Sequence, residues 1–283
     1  MLAWARRGEM RATPATATPT SHSSSLTLHD GVGPLRFLSF NIQVGIGTAS
    51  YRHYFTKGWK HVLPHQGGHL NLERIAEVVA GYDFVALQEI DGGSLRSSYV
   101  NQVQFIADRA RFPYWYTQLN RDLGPLAQHG NGLLSRVPPM EMQDHKLPGA
   151  IPGRGAIVAR LPYGDESVLV VLLHLSLGER SRRLQLEYVR NLIDGEDHVV
   201  LMGDMNSHLP QLLFDSPLAE TDLRPVGQVQ PTYPAWRPLR ALDHVLVSPR
   251  LAVSDYEVLD CRLSDHRPIA VTLEMADRPA MLM

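Results

Sequence analysis

The chain has 283 residues, 44% apolar and 20% charged, with a formal net charge of −2. This is the make-up of an ordinary soluble globular protein, and it argues against a strongly basic surface that coats nucleic acid, though a local basic rim stays open. One cysteine, Cys261, excludes an intramolecular disulfide and a cysteine-rich zinc site, and no segment reaches the roughly 20 apolar residues that span a bilayer.

Residues 1–33 are rich in Ala, Thr, Ser and Pro and lack the apolar stretch of a secretory signal, so they read as a disordered tail. Residues 277–283 read as a second tail, leaving one domain over 34–276. A strand is expected over 36–42. Leu72, Ile75, Ala76, Val78 and Val79 form a helical stripe, with Asn71 as its N-cap and Gly81 as its stop. Residues 84–87 form a buried strand ending at Gln88-Glu89. A second helix covers about 100–111, and Tyr114-Trp115-Tyr116 belongs to a strand or its edge. Short strands at 132–136, 155–161 and 167–175, separated by Pro/Gly turns, have the rhythm of a mainly antiparallel sheet. A third helix over 179–192 carries Leu184, Leu186, Val189, Leu192 and Ile193 as its apolar set. Strands at 198–202, 242–247, 252–258 and 268–273 complete the chain, with Cys261 a buried, inert thiol beside the third of these. No repeat is visible, although two similar α/β halves would not show in sequence. The expected fold is α/β (α+β): two packed mixed sheets, mainly antiparallel, flanked by helices, with the chemistry on loops at one end.

Four acidic motifs end or flank apolar runs: LSFNIQ (38–43), ALQEID (86–91), VVLMGDMNSH (199–208) and LSDHRP (263–268). Asp204 and Asn206 lie two apart after a strand closed by Gly203, so in an extended segment both face the same way. Hydrolysis of a phosphate ester needs a hard cation, a base for water, and donors for the developing oxyanion. Magnesium takes oxygen ligands, and Asn41, Glu89 and Asp265 offer them. Asp204 could take the proton from water, while Asn206, His174 and His266 donate to phosphate oxygens. Asp243, at the start of LDHVLVS, would fix the tautomer of His266 if it faced it, and would keep that ring cationic. Each residue also has a plainer role: Asn41 caps a turn, Asp204 and Asn206 shape an Asx turn, and the Asp-His pairs sit in exposed loops. Taken jointly, the site is the better account.

His53, His61, His65 and His69 fall in one loop whose spacing could suit zinc, but Pro64 and Gly67-Gly68 would break the helix that requires. The loop is expected instead to border the active site with Tyr51, Tyr54, Phe55, Trp59 and Lys60, or to pack its aromatics in the core. Tyr233 and Trp236 are candidates for a substrate wall. Arg237 and Arg240 are candidates for phosphate, which suits a guanidinium fork. Arg180, Arg182 and Arg183 read as a solvated helix face, and Arg96 and Arg121 as substrate contacts.

The ordered set FNIQ, LQEID, GNGLLSR, HLSLG, GDMN, LDHVLVS and SDHRP resembles the endonuclease/exonuclease/phosphatase superfamily, the deoxyribonuclease-I-like fold, across residues 35–274. The resemblance implies a four-layered α/β sandwich and phosphoester cleavage that depends on Mg2+ or Mn2+ and forms no covalent enzyme intermediate. It implies that Asn41, Glu89 and Asp265 serve the metal, Asp204 activates water, Asn206 orients the phosphate, and His266, oriented by Asp243, meets the transition state. Asn131 in GNGLLSR resembles an asparagine near the phosphate. His174 matches the nuclease and sphingomyelinase branches, whereas the abasic-site repair branch commonly has tyrosine there, which argues against DNA repair. The expected function is a metal-dependent phosphoester hydrolase, a phosphodiesterase before a nuclease or a silent phosphate- or protein-binding scaffold. Its substrate would be a phospholipid, a small phosphodiester or nucleic acid. The chain is expected to be a cytoplasmic monomer with at most peripheral membrane contact.

Overall fold

In the computed structural model, which describes residues 11–12, 33–45, 67–150 and 152–275, two mixed sheets pack face to face. In chain order the strands are β1 (Arg11–Ala12), β2 (Leu35–Asn41), β3 (Phe84–Asp91), β4 (Tyr114–Asp122), β5 (Gln128–Ser135), β6 (Glu141–Lys146), β7 (Gly155–Tyr163), β8 (Glu166–His174), β9 (Val199–Asp204), β10 (Arg224–Pro225), β11 (Asp243–Val247), β12 (Leu251–Val258) and β13 (Ile269–Met275). The helices are α1 (Gly67–Val79), α2 (Gln102–Ala110), α3 (Glu179–Ile193) and α4 (Leu209–Leu213). One sheet runs β1-β4-β5-β3-β2-β13-β12 and the other β10-β11-β9-β8-β7-β6.

Two strand pairs are parallel, β2 with β3 and β8 with β9. A parallel pair needs a crossover, and α1 and α3 supply them. Each unit alternates its side chains between two apolar surroundings. Phe37, Phe84 and Ala86 face the second sheet, against Leu172, Val200 and Met202. Leu38, Phe40 and Val85 face α1 and α2, against Ile75, Val79 and Ile106. Val171, Leu173 and Leu201 face Leu186, Val189 and Ile193 of α3. Strands covered on both faces read as unbroken apolar runs, as Val168–Leu173 does. The result is helix, sheet, sheet, helix: the expected four-layered sandwich.

Several expectations shift locally. Asn71 is no N-cap: α1 begins at Gly67, and the buried Asn71 amide donates to Gly45 O at 3.0 Å and Leu263 O at 2.8 Å. It ties together two loops that carry site residues. Leu184 is 45% exposed; the buried face of α3 runs through Gln185, Leu186, Val189 and Ile193. Gln185 is buried because its amide accepts from Ser176 N and donates to Ser176 Oγ, both at 2.9 Å. β3 continues past Gln88 to Asp91 through a bulge at Glu89, and α2 begins at Gln102 behind an Asn101 cap. β6 gave no strand signal because it is a polar edge, EMQDHK.

Of the histidine-rich loop only His69 is described, in α1 with its ring 5.8 Å from that of Phe105. His53, His61, His65 and the aromatics of 51–59 lie outside the described residues, as do 277–283. Of 1–33, only Arg11–Ala12, paired with Trp115 and Tyr114, and Gly33 are described. Among the described residues no helix is long and apolar enough to cross a membrane.

Candidate active site

Both parallel units end at the same place. β2 ends on Asn41 and β3 carries Glu89; β8 ends on His174 and β9 on Asp204. His174 and Asp204 are direct cross-strand partners, and Asp243, the first residue of β11, is paired with Asp204 on the other side. Gly203 makes this close approach feasible. Its φ is +143°, and a Cβ there would overlap the Leu173 carbonyl oxygen, so only glycine fits. The loop before β13 adds Asp265 and His266. It is sewn to the 232–241 loop by Ala235 N donating to Asp265 O at 2.7 Å and Arg267 N donating to Thr232 O at 2.9 Å.

Asp204 is the hub. Its Oδ2 accepts from Asn41 Nδ2 at 3.1 Å and lies 3.4 Å from His174 Nε2 and 3.9 Å from His266 Nε2. Its Oδ1 accepts from Asn206 N at 3.0 Å, while Asn206, left-handed at φ +48°, donates its side-chain amide to Leu175 O at 2.9 Å. The Asx turn is therefore present, and it is what aims the aspartate. His266 Nδ1 donates to Asp243 Oδ2 at 2.7 Å; the same oxygen accepts from Thr232 Oγ1 at 2.5 Å. Tyr233 packs against the His266 ring, with centroids 4.9 Å apart.

The two histidines are driven in opposite directions. Burial, then the charges of Arg154, His266 and His129, push His174 well below the usual imidazole range. Burial also opposes charge on His266, but Asp243, Asp204 and Asp265 outweigh it and hold that ring well above the usual range. Burial, then the charges of Asp243 and Glu89, raise Asp204 to about 7 against the pull of His266. Burial raises Asp265 to about 6, with Glu89 adding to it and His266 opposing. Near neutrality the site thus holds a cationic donor, a neutral imidazole and carboxylates short of positive charge.

A cavity of about 1080 Å³ opens over this cluster. Glu89, His174, Asp204, Asn206, Asp265 and His266 line it, as do Tyr233 and Arg240. Asn41 and Asp243 stand just behind, joined to it through Asp204 and His266. Other sequence candidates fall elsewhere. Asn131 is buried behind the lining: its amide donates to Gln118 Oε1 and Gly155 O, both at 3.0 Å, and its Oδ1 is buried with no partner. Trp236, Arg237 and Arg121 are not in the lining. Arg96 is no substrate contact, being buried in an ion pair with Asp91 at 2.6 Å. Conversely, Arg180, Arg182 and Arg183 are part of the cavity wall as well as of a helix face. Arg154 was missed altogether. Its Nη1 lies 2.7 Å from both ring nitrogens of His174, and GRGA before a strand carries no signal for such a role. Thr232, equally silent in sequence, holds Asp243.

Two donor sets could hold a cation. Atoms of Asp204, Asp243 and His266 lie within 4.8 Å of one another, but Asp243 and His266 are hydrogen-bonded to each other, so binding there would break that bond. Glu89, with a side chain 35% exposed, and Asp265 both line the cavity and offer hard oxygen atoms of the kind a divalent cation takes, whereas the Asn41 side-chain oxygen accepts from Gln43 N at 3.1 Å.

A family model described as Endonuclease/Exonuclease/phosphatase family matches residues 38–266. An endonuclease/exonuclease/phosphatase from Beutenbergia cavernae is 22% identical with a TM-score of 0.66, over 87% of this chain and 73% of its own. One from Bacteroides vulgatus is 16% identical with a TM-score of 0.68, over 87% of this chain and 100% of its own. A mannosyl-6-phosphatase from Bacteroides thetaiotaomicron is 18% identical with a TM-score of 0.62, over 85% of this chain and 100% of its own. No curated protein matches the chain.

Proposed function

The chain belongs to the endonuclease/exonuclease/phosphatase family, and from that premise we propose that it is a divalent-metal-dependent phosphoester hydrolase acting on phosphodiesters. The observation that carries this is the convergence on Asp204: one carboxylate oxygen within 3.9 Å of Asn41, His174 and His266, with His266 backed by Asp243 at 2.7 Å.

Glu89 and Asp265 would hold the cation, which when bound polarises the phosphoryl group and offsets its charge. Asp204 accepts the proton of the attacking water; burial and the neighbouring acids make it a stronger base than an exposed carboxylate. His266, cationic and locked by Asp243, donates through Nε2 to a phosphoryl oxygen as charge grows there. His174 is neutral, so it offers one hydrogen bond without a charge. Asn206, fixed by Leu175 O, lines the same cavity and keeps Asp204 aimed through its backbone N–H.

The test is hydrolysis of bis-p-nitrophenyl phosphate with magnesium or manganese, alongside Glu89→Ala and His266→Ala. Metal-dependent turnover that both variants abolish is the expected result. Absence of turnover on any of a panel of plasmid DNA, RNA, phospholipids, phosphoinositides and p-nitrophenyl phosphate would remove the hydrolase assignment. Turnover of the monoester alone would replace diesterase by monoesterase.

A further inference from the structure

The catalytic cluster occupies only part of the cavity. The rest of the lining includes Arg180, Arg182 and Arg183 from the first two turns of α3, and Arg240 from the loop before β11. Two carboxylates, Glu179 and Asp215, share this wall, so four guanidiniums face two acids.

Several arginines elsewhere on the protein are held by acids. Arg160 is paired with Glu196 at 2.7 Å, Arg250 with Asp197 at 3.1 Å, and Arg96 with Asp91 at 2.6 Å. Among the described residues, Arg180, Arg183 and Arg240 have no carboxylate within 4.0 Å, and their side chains make no hydrogen bond. Arg182 is tethered to the Ser176 carbonyl oxygen at 3.2 Å and to that of Leu177, which holds its charge at the helix entrance.

Local physics opposes clustering cations at this place. Cations at the start of a helix oppose its dipole, and Arg180 and Arg183, three apart, share a face and repel. Gly178, the N-cap, has no side chain to satisfy the first N–H groups of α3. A bound anion relieves all three costs together.

We propose that this wall is a subsite for a second phosphate group, so that the substrate is a phosphoester carrying another phosphate besides the one hydrolysed. The proposal deepens the hydrolase assignment and rests on it. A diester joining two neutral groups would leave the exposed Arg180, Arg183 and Arg240 to water alone, whereas a diester that bears a further phosphate places one anion on the catalytic cluster and one on the arginines. Its source is a soluble sugar phosphodiester that carries a further phosphate, or a phosphorylated lipid headgroup.

Calorimetry on the intact chain with two matched pairs tests this: glycerophosphoinositol 4-phosphate against glycerophosphoinositol, and dioctanoyl phosphatidylinositol 4-phosphate against dioctanoyl phosphatidylinositol. In at least one pair the ligand with the extra phosphate should bind about tenfold tighter or more, and an Arg180→Gln/Arg183→Gln variant should cut that advantage to about twofold. The pair that shows it names the source. Equal affinity within both pairs of the unaltered protein overturns the subsite, as does a variant that keeps the full advantage. Turnover of bis-p-nitrophenyl phosphate is measured separately. A protein that shows the binding preference but no turnover supports the subsite and removes only the hydrolase assignment.

Discussion

The units β2-α1-β3 and β8-α3-β9 have one backbone plan and two chemistries. In each, a parallel pair of strands crossed by a helix delivers one polar residue from the first strand and a carboxylate from the second: Asn41 and Glu89 in one, His174 and Asp204 in the other. The carboxylates differ in hydration. Glu89 sits on a bulge, left-handed at φ +55°, with its side chain 35% exposed, whereas that of Asp204 is 2% exposed and ringed by donors. An acid open to the cavity is suited to a cation. An acid buried among other acids is suited to a proton. In the proposed mechanism, burial and backbone shape, rather than residue type, divide the labour between Glu89, on a bulge inside β3, and Asp204, at the end of β9.

The division can be broken at either unit. Asp204→Asn should have the largest effect, lowering kcat about 10³–10⁴-fold while leaving the fold and metal affinity nearly intact, as steady-state kinetics and metal titration would read. Asp243→Asn should lower kcat about 10²–10³-fold and move the His266 titration down towards the ordinary imidazole range, visible by NMR. An unmoved titration would break the assignment of Asp243 as the orienting partner. Glu89→Gln should act instead through the metal, raising the magnesium concentration for half-maximal rate by more than about tenfold. A variant that lost kcat with unchanged metal dependence would erase the contrast between the two acids.

Smaller effects report on the scaffold. Asp91 lies two residues past Glu89 and is fully buried. Burial opposes its charge, but hydrogen bonds from Ser94, Gly93 and Arg96 outweigh it and hold the carboxyl at about 2. Because its pKa is depressed below the ordinary 3.8, its stabilisation is complete above that value and is lost as pH falls through about 2. The shift corresponds to about 2 kcal/mol, readable from urea melts across that acid range. Removing the charge by Asp91→Asn leaves the buried Arg96, which still donates to Gln128 O at 3.0 Å, without its counter-charge, and should cost about 3–5 kcal/mol. Leu184→Gln, on the exposed side of α3, should change stability by no more than about 0.5 kcal/mol.

Most of the frame could be read from the chain because apolar periodicity reports burial directly. The runs at 84–87, 167–175 and 198–202 are covered on both faces and became strands, and the stripe at 72–79 became α1. β6 escaped because an edge strand need not be apolar. Leu184 misled because helix spacing alone could not show that a buried amide, Gln185, takes the inward position to serve Ser176.

The site divides the same way. Sequence alone determined the acidic and histidine motifs, their order and the strands that carry them, since a strand end projects whatever residue occupies it. Only the tertiary structure decided that Asp204 is the hub, that Arg96 is structural, and that Arg154, Thr232 and the α3 arginines belong around one cavity. Those facts depend on contacts between segments far apart in the chain. Charge, desolvation and hydrogen bonding act through space, and only the packed sheets set those distances.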